Sequence, residues 1–120
     1  MQHSKEFEAL VDEARARVRE VTADDVAQRQ DAGGFRLIDV REDDEWRAGH
    51  VRGAEHLGKG VIERDIVQKV PDKNEELILY CGGGYRSVLA ADALQKMGYR
   101  RVFSMAGGWK AWLAKGYPVT

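Results

Sequence analysis

The strongest restriction on how this chain can fold lies in residues 77–87. Four apolar residues, Leu77–Tyr80, run into the only cysteine, Cys81, and three glycines follow it. Beyond Ser87 the apolar residues recur at helical spacing. An unbroken apolar strand is typical of a parallel sheet covered on both faces. The pattern therefore predicts a buried strand, a tight loop and a helix, with Cys81 at the carboxyl end of the strand, where α/β proteins form ligand sites.

The loop has the composition of an anion-binding site around a nucleophilic sulfur. Its glycines permit backbone conformations closed to other residues, so successive N–H groups can converge on one point. The amino end of the next helix also favours thiolate over thiol. An arginine at this position can hold two oxygens of an anion, and a serine can add a hydrogen bond. The predicted site has Cys81 as its catalytic residue and these residues for the substrate: Gly82, Gly83, Gly84, Tyr85, Arg86 and Ser87.

Three ordered motifs resemble those of the rhodanese-type sulfurtransferases. Residues 81–86 are similar to that family's active-site loop, Cys-x-x-Gly-x-Arg. Residues 37–50 resemble its first signature, and residues 107–118 resemble its closing one. The resemblance implies a three-layer α/β fold, with a mostly parallel sheet of about five strands and helices on both faces. Alternation of strand and helix patterns along the chain predicts the same architecture.

The resemblance also implies a function and a set of partners. We expect an enzyme that moves sulfane sulfur from thiosulfate or a similar anionic donor to a thiol or cyanide, through a persulfide on Cys81. A partner protein's persulfide is an alternative donor, with the chain as a sulfur relay or docking module. A third interpretation is a cysteine-dependent phosphatase or arsenate reductase. Only four residues separate Cys81 from Arg86, whereas the phosphatase loop has five. The loop length therefore favours the sulfurtransferase interpretation. No metal or organic cofactor is implied.

Polar residues in the first half of the chain are expected to support this site. Asp39 follows an apolar strand pattern and stands two residues before Arg41. Together with Glu45 they are interpreted as an ion-pair and hydrogen-bond frame, because charges near a core are normally paired. His50 and His56 match no common zinc spacing with Cys81, so hydrogen-bonded surface histidines are expected and no metal site is predicted.

The N-terminal residues show a different pattern. Apolar residues from Phe7 to Val18 follow helical spacing, with Ser4 as a predicted N-cap. The predicted organisation is therefore an amphipathic helix within residues 1–20 and a rhodanese-like domain in residues 21–120. The helix is expected to pack on this domain, and a partner or dimer contact is the alternative. Because residues 1–17 contain no motif, they are expected to be dispensable for the chemistry.

Composition narrows the remaining function classes. At 120 residues, with 43% apolar and 32% charged residues, the chain has the size and balance of one globular domain. A net charge of −1 argues against a nucleic-acid or anionic-membrane surface. No apolar run reaches membrane-spanning length. A single reactive thiol persists best in a reducing compartment, so a cytoplasmic location is expected. The expected oligomeric state is a monomer or a weak dimer.

Overall fold

The computed structural model describes residues 3–120, in which helices and strands alternate along the chain. Residues 1 and 2, which belong to the predicted N-terminal segment, lie outside this range. The elements, in chain order, are α1 (Lys5–Arg15), β1 (Arg19–Val21), α2 (Ala23–Arg29), β2 (Arg36–Asp39), α3 (Asp43–Ala48), β3 (Glu55–His56), α4 (Ile62–Lys69), β4 (Leu77–Tyr80), α5 (Arg86–Lys96), β5 (Val102–Met105) and α6 (Gly108–Ala114).

The five strands form one sheet in the order β1-β5-β4-β2-β3, and every neighbouring pair is parallel. The predicted α/β architecture is therefore confirmed. All four residues of β4 are buried, which explains why its sequence lacks the alternation of a half-exposed strand. Since β4 lies at the centre of the sheet, Cys81 leaves it at the middle of the carboxyl edge.

Helices cover both faces of the sheet, and the sheet separates the hydrophobic core into two parts. On one face α1, α4 and α5 bury their apolar sides, including Val11, Ile66 and Leu94. On the other face α2 and α6 do the same, with Val26 and Trp112 fully buried. The sequence pattern of two covered faces thus corresponds to three layers, helices, sheet and helices.

Local signals in the sequence place several helix ends. Ser4 caps α1 by accepting a hydrogen bond of 3.0 Å from the backbone N–H of Phe7, as predicted. Thr22 and Asp25 form a capping box at the start of α2, with reciprocal bonds of 3.0 and 3.1 Å. These signals act over three residues, so they can be recognised without the tertiary structure.

Residues 51–57 contain only a two-residue strand, β3. Glu55 and His56 pair with β2, but Val51 forms an isolated antiparallel bridge with Val119. Between them the backbone turns through Gly53, whose φ of +86° is in the left-handed region that glycine adopts without strain. The turn shortens the strand to two residues.

The N-terminal helix α1 packs against α5 of the same chain. Val11 and Ala14 are 1% and 2% exposed in this contact. At the end of the helix, Arg17 binds both carboxylate oxygens of Asp92 on α5, at 3.0 and 2.8 Å. The helix is thus held by apolar burial and by an ion pair. None of the helices in residues 3–120 is both long enough and apolar enough to cross a membrane.

Candidate active site

The loop between β4 and α5 surrounds the sulfur of Cys81 with hydrogen-bond donors. The backbone N–H groups of Gly84 and Ser87 donate to Sγ at 3.2 and 3.4 Å. The Ser87 hydroxyl lies 3.5 Å from the same sulfur. Gly84 has a φ of +93°, so the turn that presents its N–H to the sulfur is one that glycine adopts easily. The predicted convergence of loop and helix N–H groups is therefore present, through two of the backbone groups.

The carbonyl side of the loop is held by α6. The N–H groups of Trp109 and Lys110, in the first turn of that helix, donate to the carbonyl oxygens of Cys81 and Gly82 at 2.8 and 3.0 Å. A Cβ at Gly108 would lie 2.2 Å from the Cys81 oxygen, so only glycine allows this approach. These two bonds fix the carbonyl groups at the start of the loop against the amino end of α6.

Ser104 supports the loop from β5. Its hydroxyl lies 2.7 Å from the Ser87 hydroxyl, and both side chains are completely buried. The pair orients the Ser87 hydroxyl, which among residues 3–120 is the one side-chain oxygen within hydrogen-bond distance of the sulfur. Sequence reasoning passed over Ser104. The available signal was a polar residue inside the apolar run of a strand.

Arg86 directs its guanidinium at a carboxylate of its own chain. Nη1 and Nη2 donate to the two carboxylate oxygens of Glu45 at 3.0 and 3.3 Å. The bond from Arg86 is the main reason that the pKa of Glu45 is lowered, and the same bond raises the pKa of Arg86. In this structure both guanidinium donors are directed at Glu45, and the predicted contact of Arg86 with two oxygens of a substrate anion stays a prediction. Glu45 thus takes part in an ion pair, as the sequence suggested, and its direct partner is Arg86 of the loop.

Asp39 and Arg41 form a buried ion pair next to the site, and neither lines its cavity. Their shortest contact is 2.8 Å, and the side chains are 0% and 4% exposed. Arg41 also donates to the Gly49 carbonyl at 2.6 Å, and its guanidinium lies 4.7 Å from the centre of a Trp109 ring. This pair joins the end of β2 to α6, consistent with the predicted supporting frame.

A cavity of about 730 Å³ opens over the sulfur. One side of it consists of loop residues, a cation of α6 and the Arg86–Glu45 pair. The other side comes from the N-terminal segment, which the sequence did not associate with the site. Its lining residues are His3, Ser4, Phe7, Glu45, Cys81, Gly82, Gly83, Tyr85, Arg86 and Lys110.

The N-terminal side of the cavity is aromatic. The rings of His3 and Tyr85 have centroids 4.5 Å apart, and those of His3 and Phe7 lie 5.0 Å apart. Phe7 and Tyr85 are 6.2 Å apart, so the three rings form one cluster. Arg15 lies over the Tyr85 ring, 5.6 Å from its centre. His3 and Phe7 therefore line the cavity, and the dispensability of residues 1–17 for the chemistry stays a prediction.

The two histidines considered as metal ligands have structural contacts. His50 and His56 stack on Trp46, with ring centroids 3.4 and 5.0 Å from the indole. Each also has a ring nitrogen within hydrogen-bond distance of a backbone carbonyl, at 3.0 and 2.9 Å. Hydrogen-bonded histidines were the expectation. Within residues 3–120, no three histidine, cysteine, aspartate or glutamate side chains are grouped closely enough to hold a metal ion.

Comparison with known proteins identifies the family of the chain. The family model of the rhodanese-like domain matches residues 22–115. The chain belongs to the rhodanese-like domain family. Thiosulfate sulfurtransferase PspE of Escherichia coli is 38% identical over 73 residues, which are 61% of this chain and 69% of that protein. A candidate sulfur carrier protein of Bacillus subtilis, YrkF, is 27% identical over 82% of this chain.

A solved structure resembles the chain along its whole length. It is a protein of unknown function from Rhodopseudomonas palustris that is named a possible tyrosine phosphatase. The TM-score is 0.83 at 27% identity, and the match covers 100% of this chain and 98% of the other. The N-terminal helix outside the rhodanese-like domain is therefore included in the match. By contrast, the chain spans only 52% of the Bacillus subtilis relative.

Proposed function

We propose that this rhodanese-like domain is a sulfurtransferase that carries sulfane sulfur as a persulfide on Cys81. The observation that supports it best is the position of Sγ, which accepts from two backbone N–H groups at the base of an open cavity. Donors preorganised around a sulfur stabilise negative charge on it. That charge is present on the attacking thiolate and again on the terminal sulfur of the persulfide.

The reaction has two half-reactions. The thiolate of Cys81 attacks the outer sulfur of a donor such as thiosulfate, the new S–S bond forms, and sulfite leaves with the electron pair of the broken bond. An acceptor thiolate or cyanide then attacks the outer sulfur of the persulfide and returns Cys81 to the thiolate. The roles proposed for Gly84 and Ser87 are to donate to the sulfur, and Arg86 is proposed to attract and orient the anionic donor.

The test is the covalent intermediate. Because the chain has one cysteine, no second thiol of its own can displace the sulfur from a persulfide. Incubation with thiosulfate should add the mass of one sulfur atom to the peptide containing Cys81 and release one equivalent of sulfite. Cyanide should remove that sulfur and restore the mass. Cys81→Ser should abolish both steps, since a serine alkoxide is neither accessible nor reactive toward sulfur at neutral pH.

A sulfur relay is the second candidate, and the likeness to the Bacillus subtilis sulfur carrier favours it. In that case Cys81 would take sulfur from a protein persulfide and react slowly with thiosulfate. Mixing the chain with a persulfidated protein donor and following transfer by mass spectrometry separates the two. The Rhodopseudomonas palustris structure raises a phosphatase as a further outcome. Release of nitrophenol from p-nitrophenyl phosphate, with no persulfide formed, would establish that activity instead.

A further inference from the structure

The cavity over Cys81 is much larger than an inorganic donor requires. At about 730 Å³ it lies in the range of roughly 300–1,000 Å³ that is typical of sites for organic ligands. Thiosulfate would contact only the loop at its base. His3 and Phe7, which form the opposite side together with the ring of Tyr85 from the end of the loop, would then have no contact with the substrate.

The two sides of the cavity differ in chemistry. Near the sulfur, the lining contains the cations Arg86 and Lys110 and the single carboxylate of Glu45, an excess of one positive charge. At the N-terminal side it contains three rings whose centroids are 4.5 to 6.2 Å apart. A ligand that suits both sides carries a negative charge at one end and an aromatic group at the other.

The helix that contributes Phe7 to the aromatic side is packed on the rest of the domain. Ser4 caps the helix that carries Phe7, and Val11 is buried one turn further along. At the other end of the segment, the Arg17 side chain binds Asp92. The backbone carbonyl of Arg17 accepts a hydrogen bond of 2.8 Å from the side-chain amide of Gln95. A wall fixed in this way can select between substrates, because little ordering is needed when a ligand binds.

We propose that the wall formed by His3, Phe7 and Tyr85 makes this site select arenethiosulfonates, sulfur donors with an aromatic group, over thiosulfate and small aliphatic donors. The inference rests on the proposed sulfur transfer and names its substrate class. The Cys81 thiolate attacks the terminal sulfur of the donor, the bond between that sulfur and the sulfonyl sulfur breaks, and the electron pair leaves with the arenesulfinate. The remaining charge is on the persulfide, and no oxidant is needed.

The experiment compares two donors that differ in the ring alone. Benzenethiosulfonate and methanethiosulfonate ions transfer the same sulfur and release a sulfinate, so the ratio of their kcat/KM values reports recognition of the ring. Phe7→Ala should lower this ratio about 3- to 10-fold, as expected for one aromatic contact, mainly through KM. Leu10→Ala is the matched control, because Leu10 is on the same helix and is 54% exposed. It should leave the ratio unchanged.

Each result of this comparison either supports or contradicts selection by the aromatic wall. An unchanged ratio in a folded Phe7→Ala protein would overturn the inference and leave the sulfurtransferase proposal standing. If that variant fails to fold, Phe7→Leu decides, since it keeps apolar packing and removes the ring, and the ratio should again fall. Should the wild-type protein form no persulfide with benzenethiosulfonate, methanethiosulfonate or thiosulfate, the proposed function and this inference both fail.

Discussion

Replacement of Gly84 by alanine tests the loop geometry directly. The backbone at this glycine has a φ of +93°, which an L-residue adopts only with strain. A Cβ placed there would lie 3.0 Å from the backbone nitrogen of Gly107 and 3.6 Å from the carbonyl oxygen of Met105. Neither neighbour is a flexible side chain, so the loop and the start of α6 must move apart.

The loss of stability in Gly84→Ala has two contributions, the strain of the backbone and the displacement of its packed neighbours. The left-handed conformation costs about 1–2 kcal/mol for a residue with a Cβ. Displacing packed backbone by a few tenths of an ångström adds on the order of 1–2 kcal/mol. The variant should therefore lose about 2–4 kcal/mol from a total free energy of unfolding of roughly 5–15 kcal/mol, and remain folded. If the Gly84 N–H moves away from Sγ, the loss of one such donor should lower persulfide formation about 10²–10³-fold.

Gly83→Ala is the in-loop comparison. No heavy atom lies within 4 Å of a Cβ at this position, and the backbone is not in the left-handed region. Urea unfolding should show Gly83→Ala to be nearly as stable as the wild type and Gly84→Ala to be clearly less stable. Single-turnover persulfide formation should rank them in the same order. Equal stability and equal rates for the two variants would refute the reasoning, because the backbone at Gly84 would then be free to accept a side chain.

Three further predictions concern charged groups. Arg86→Lys should lower kcat/KM for thiosulfate about 10²-fold although the charge is retained, because a point cation cannot form two parallel bonds; wild-type kinetics would contradict this. Glu45→Gln should lower KM for thiosulfate, most at low ionic strength, because it removes the anion that binds Arg86 while keeping an acceptor; an increase in KM would show that the ion pair positions the arginine. The pKa of Asp92 is lowered, chiefly by Arg17, so this carboxylate stabilises the fold above the ordinary pKa of 3.8, and the contribution is lost as the pH falls through the lowered value. Asp92→Asn should therefore destabilise the protein at pH 7 and reduce the dependence of urea unfolding on acid pH; an unchanged acid limb would contradict the assignment.

Part of the site could be recognised from sequence because its signals are local. The run from Leu77 to Ser87 contains the strand, the turn glycines and the helix start within eleven consecutive residues. Backbone sterics and hydrogen bonding between near neighbours determine such patterns. We could therefore predict that Cys81 lies at the carboxyl end of the central strand and that backbone N–H groups face its sulfur.

The sequence by itself also determined the order of elements and the parallel sheet, since continuous apolar strands that alternate with helices must be covered on both faces. What only the tertiary structure decided is which distant residues meet at the cavity. Glu45 and Arg86 are 41 positions apart, and Ser87 and Ser104 are 17 apart. The aromatic wall joins residues of the N-terminal segment to Tyr85 because α1 packs on α5. Such contacts depend on how amphipathic helices lie across the sheet, and hydrophobic burial sets that arrangement without specifying which polar and aromatic side chains come into contact.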